Sequence, residues 1–142
     1  MKRLLFVLVL SALFFAACAG QNTPAVSSPP ATVSVPGGSY TNVSATQLKA
    51  MLDKKEFAFV NVHIPYEGEI AKTDAFVPYN EIEKNLDKLP ADKNAKIVLY
   101  CRSGRMSAIA AETLVRLGYT NVWNMEGGMI VWETLGLPLT TR

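Results

Sequence analysis

The sequence predicts an α/β domain, in which strands and short helices alternate around a central sheet. Three stretches carry that expectation. Phe57-Ala58-Phe59-Val60-Asn61-Val62 is nearly continuous apolar sequence with aromatic and β-branched residues, the pattern of a central parallel strand buried on both faces. Lys96-Ile97-Val98-Leu99-Tyr100 is a second short apolar run that reads as a buried strand. Ser107 to Leu117 has helical spacing, with Ile109, Ala110, Leu114 and Leu117 on one face and Gly118 as a stop. Strands alternating with such helices favour α/β over all-β.

The chain opens differently. Lys2-Arg3 is a short positive segment, Leu4 to Phe15 is apolar apart from Ser11, and Ala16-Ala17 are small. This is the order of a secretory signal, and it is short for a membrane-spanning helix of about 20 apolar residues. Cys18 follows directly, and the arrangement resembles the bacterial lipoprotein box. The resemblance implies cleavage before Cys18, a diacylglycerol on its sulfur and an acylated amino group. Two or more acyl chains give stable anchoring. It also implies a place in the bacterial cell envelope, tethered on the periplasmic side. Ala19 to Tyr40 has no charged residue, is rich in Pro, Ser, Gly, Ala and Thr, and is expected to be a flexible tether. The expected division is therefore 1–17 signal, 18–40 lipidated cysteine and tether, and 41–142 folded domain. Lys and Arg total 14 and Asp and Glu total 12, a net charge of +2. That excess is Lys2 and Arg3 alone, so the mature chain has no basic field for nucleic acid.

Within the domain, Ser44-Ala45-Thr46-Gln47 is a capping-box pattern, and Leu48, Met51 and Leu52 continue it as a short amphipathic helix. The strand at Phe57 to Val62 comes next. Pro65 and Gly68 begin a loop, Ala75-Phe76-Val77 is a brief strand ended by Pro78, and Asn80 is expected to cap a helix through Leu86. Ala91 to Asn94 turns into the next strand. After the helix ending at Gly118, Asn121 to Asn124 reads as a strand. Gly127-Gly128 makes a tight turn before a short helix from Met129 to Leu135, with Trp123 and Trp132 as core.

The chemistry concentrates in Tyr100-Cys101-Arg102-Ser103-Gly104-Arg105-Met106-Ser107, where a strand turns into a helix. The backbone N–H groups of residues 102 to 106 lack intrahelical partners and can converge on an anion. Arg102, Arg105 and the helix dipole add positive potential, and all three effects favour thiolate over thiol. Gly104 lets the loop close tightly. In α/β sheets, sites form outside the carboxyl ends of strands. Asn61 and His63, after one strand, are therefore expected to share a cleft with Cys101, after another. The alternative for Cys101 is an inert core cysteine. With a single histidine and Cys18 assigned to lipid, no zinc site is expected.

Tyr100 to Ser107, with Tyr119 to Met129 and Trp132, resembles the active-site loop and closing segment of the rhodanese (sulfurtransferase) family, and the likeness runs from about Tyr40 to Pro138. It implies a rhodanese-like domain with a central, mostly parallel five-stranded sheet and helices on both faces. It implies that Cys101 carries sulfur as a persulfide, that Arg102, Ser103, Gly104, Arg105, Met106 and Ser107 bind a small anionic sulfur donor, and that a thiol acceptor then removes the sulfur without a cofactor. Asn61-Val62-His63 stands where the family carries aspartate, any residue, then arginine, and Glu69 stands at a usual histidine. The Asn61 and His63 departures motivate a second reading, a lipid-tethered binding module without turnover. A cysteine phosphatase is not expected, since its pattern requires arginine where this chain has Ser107.

Overall fold

The computed structural model describes residues 28–141. The signal segment and Cys18 lie outside the described residues. The expected α/β architecture is present as one six-stranded sheet. Its strands are β1 (Ala31–Val35), β2 (Gly38–Val43), β3 (Ala58–Asn61), β4 (Ala75–Phe76), β5 (Ile97–Tyr100) and β6 (Val122–Met125), in the spatial order β1-β2-β6-β5-β3-β4. All neighbours are parallel except the β1–β2 hairpin. The helices are α1 (Ala45–Asp53), α2 (Arg105–Arg116) and α3 (Gly128–Thr134).

Residue alternation along the strands builds two cores. In β5, Ile97 and Leu99 face the layer of Ala110, Ala111, Leu114 and Val115 from α2, while Val98 and Tyr100 face Leu48 of α1 with Met129 and Trp132 of α3. In β3, Val60 and Phe59 divide in the same way. A strand covered by helices on both faces has no polar side to offer, so β5 is apolar throughout.

Several expectations need correction. The sheet has six strands rather than five, because β1 adds an antiparallel edge. That edge lies inside the stretch whose composition reads as a tether. Thr32 and Ser34 alternate with Val33 and Val35, both valines pack partly against the α2 core, and Tyr40 is buried there. Pro36-Gly37 supplies the two-residue turn between Val35 and Gly38, with Gly37 at φ 93°. Helix α2 starts at Arg105, and Ile109 is 41% exposed, so Ser107, Ala110, Ala111, Leu114 and Val115 form its buried face. The segment after Pro78 is a pair of 3₁₀ turns, Tyr79–Lys84 and Leu86–Lys88, without a side-chain cap from Asn80. The capping box is as expected: the Ser44 hydroxyl accepts from Gln47 N–H and the Gln47 side chain accepts from Ser44 N–H.

Candidate active site

β3, β5 and β6 run parallel, so their carboxyl ends lie together at one edge of the sheet. Cys101 leaves β5 there and is buried, 1% exposed. Its sulfur faces two donors. The Gly104 N–H lies 3.1 Å from Sγ, and the Ser107 hydroxyl lies 3.4 Å from it. The Ser107 hydroxyl is also 3.1 Å from the Gly104 carbonyl. Its single hydrogen serves one acceptor at a time, and a charged sulfur is the stronger of the two. Gly104 is the N-cap of α2 and Ser107 lies in its first turn, so the sulfur sits at the end of the helix that carries partial positive charge.

The loop is held from behind by α3. Met129 N–H donates to the Cys101 carbonyl at 2.9 Å, and Ile130 N–H donates to the Arg102 carbonyl at 3.0 Å. This contact demands glycine. Gly128 has φ 55°, and a Cβ on it would fall 2.2 Å from the Cys101 carbonyl oxygen. Gly104, at φ 90°, caps α2, and a Cβ there would come 3.0 Å from Gly127 N. The carbonyls of Cys101 and Arg102 are thus both engaged by α3.

Of the expected donor-binding residues, Ser103 is exposed, Met106 packs partly against the core, and the two arginines are not equivalent. Arg105 is exposed and has no ion-pair partner among the described residues. Arg102 Nη1 lies 2.9 Å from Glu67 Oε2. The same oxygen lies 3.3 Å from His63 Nε2, without hydrogen-bond alignment, and Nδ1 of that 7% exposed histidine has no hydrogen-bond partner among the described residues. The segment after β3 and the cysteine loop therefore do meet, through Glu67, which sequence reasoning did not single out. The only local signal is an acidic residue four positions after the histidine.

Asn61 is fully buried, and both ends of its side-chain amide are engaged within its own loop. Its Oδ1 accepts from His63 N–H and its Nδ2 donates to the Gly68 carbonyl, each at 3.0 Å. The side chain spans the loop between them like a staple. Tyr100, immediately before Cys101, accepts from Ile70 N–H at 3.0 Å and pairs with the Thr73 hydroxyl at 2.7 Å. Burial pushes its phenol far above the ordinary value, so it stays protonated. Among the described residues no three His, Cys, Asp or Glu side chains gather to hold a metal ion.

A family model described as Rhodanese-like domain matches residues 44–135. A sulfurtransferase from Allochromatium vinosum is 34% identical over 93 residues, covering 63% of this chain and 83% of that protein. A tRNA uridine(34) hydroxylase from Erwinia tasmaniensis is 33% identical over 112 residues, covering 72% of this chain but only 31% of the longer hydroxylase. Among solved structures, a rhodanese-related protein from Thermoplasma volcanium aligns with a TM-score of 0.61 at 29% identity, over 71% of this chain and 98% of that one. A rhodanese-like domain protein from Staphylococcus aureus aligns at 0.59 and 27% identity, over 71% and 97%.

Proposed function

The chain belongs to the rhodanese-like domain family, and on that premise we propose that it is a sulfurtransferase that carries sulfane sulfur as a persulfide on Cys101. The observation that carries the reading is the pair of donors, Gly104 N–H and Ser107 hydroxyl, converging on Sγ at the start of α2. The Cys101 thiolate attacks the outer sulfur of a donor such as thiosulfate. A sulfur–sulfur bond forms as the donor's breaks, and sulfite leaves with the electron pair. The donors that hold the thiolate then hold the persulfide, and an acceptor thiolate takes the terminal sulfur and restores Cys101. The phosphatase alternative lacks its arginine: Ser107 occupies that position, and its short hydroxyl faces the cysteine sulfur instead of offering a bidentate guanidinium to a phosphate. The pattern around Cys18 supports a further proposal, that the domain works while lipid-anchored on the periplasmic side of a bacterial envelope.

Mass spectrometry after exposure to thiosulfate or to a persulfide should show a gain of one sulfur atom on Cys101, absent in Cys101→Ser. If neither donor ever adds sulfur, the catalytic reading falls and the non-catalytic binding module replaces it.

A further inference from the structure

We propose that Glu67 is a built-in counter-anion on Arg102, a positioning residue that makes the site favour a persulfide donor over the dianion thiosulfate. The inference rests on the sulfurtransferase reading. The cysteine loop has two guanidinium groups, and Glu67 engages one of them, Arg102, at 2.9 Å. The other, Arg105, is exposed at the start of α2 with no ion pair among the described residues, and Gly104 N–H faces the sulfur directly. Thiosulfate brings two negative charges to a thiolate that already bears one. It therefore needs both arginines, and it meets a fixed carboxylate on the first. A persulfide brings at most one charge at its sulfur end and meets a matched site. In either reaction the Cys101 thiolate forms the new sulfur–sulfur bond as the donor's bond breaks. The electron pair departs on sulfite or on the donor's thiolate.

An exposed ion pair is ordinarily worth little, because both partners wander. Glu67 is different because its loop is pinned on both sides. Asn61 ties His63 N–H to the Gly68 carbonyl across the loop. Glu69, two residues on, exchanges backbone hydrogen bonds of 2.8 and 2.7 Å with Thr140. The nearly buried His63 ring sits 3.3 Å from the same carboxylate oxygen that meets Arg102. The carboxylate is thus presented to the guanidinium from a braced segment.

The test compares the wild-type protein with Glu67→Gln, which keeps the volume and removes the charge, and with Glu67→Gln/Arg102→Ala. Sulfur loading of Cys101 is measured against thiosulfate and against cysteine persulfide. Glu67→Gln should lower the half-saturating thiosulfate concentration roughly fivefold, the upper range for a partly exposed ion pair. Thiosulfate-over-persulfide selectivity should rise by the same factor, and both gains should vanish in the double variant. Equal effects on the two donors, or a gain that survives without Arg102, would overturn the proposal. Protection of Cys101 from iodoacetamide by sulfate, a dianion with no sulfur to give, separates the two claims. Stronger protection in Glu67→Gln supports the charge role even if no variant ever loads sulfur. Unchanged protection alongside normal loading sinks the role of Glu67 and leaves the sulfurtransferase reading standing.

Discussion

At position 61 a neutral amide does what a carboxylate does not. His63 N–H requires an acceptor and the Gly68 carbonyl requires a donor, and asparagine supplies both from one buried side chain. Asn61→Asp would place a carboxylate oxygen against the Gly68 carbonyl in a fully buried setting. The expected cost is about 3 kcal/mol, read as a lower urea midpoint with an unchanged slope. The loss should shrink as the pH falls, because a protonated carboxyl regains the donor. An equally stable variant at neutral pH would show that the staple does not hold this loop. The departure from the family's aspartate thus has a local explanation in the strand-to-loop junction. His63, left beside Glu67, has its backbone fixed by the same amide.

At the scale of elements, the cysteine loop depends on how closely α3 approaches it. Gly128→Ala would drive a methyl group into the Cys101 carbonyl and strain a positive φ, so α3 and the loop have to separate. Stability should fall by about 1–3 kcal/mol, measured by thermal unfolding, and sulfur loading of Cys101 should fall with it. Full loading at native stability would mean that the backing helix does not position the loop. The double glycine was legible in the sequence as a turn, but its reason was not, because the contact joins residues 27 positions apart. The same limit hid Glu67, whose partner Arg102 is 35 residues away. Local pattern served well where local physics decides: the all-apolar β5, the capping box of α1, and the cysteine between strand and helix. It failed on β1, an Ala-Thr-Val-Ser-Val run inside a stretch rich in proline, glycine and serine, where the pairing partner β2 decides the outcome. On α2 it found Ala110 and Leu114 but added Ile109, which is exposed, and passed over Ala111 and Val115, because packing against the sheet decides which side of the helix is covered.

At the scale of the whole molecule, the chain has an active-site end and an opposite end, and the proposed anchor acts on the first. Cys18→Ser should abolish labelling by a fatty-acid analogue and either release the protein to a soluble fraction or leave an uncleaved precursor. Each buried acyl CH₂ contributes about 0.8 kcal/mol to membrane binding, so loss of the chains removes the attachment. Unlabelled wild-type protein in the soluble periplasmic fraction would rule the anchor out. The direction of β1 adds a consequence. β2 runs parallel to β6, so its end at Val43 lies beside Met125 at the cysteine-bearing edge of the sheet. β1 runs the other way, and Ala31 is registered against Asn42 at that same edge. The chain therefore enters the fold on the side where Cys101 sits. Residues 19–30, even fully extended, reach at most about 40 Å. A lipid on Cys18, as proposed, would then hold the edge that bears Cys101 within the tether's reach of the bilayer, where acceptors confined to the same surface are met by diffusion in two dimensions.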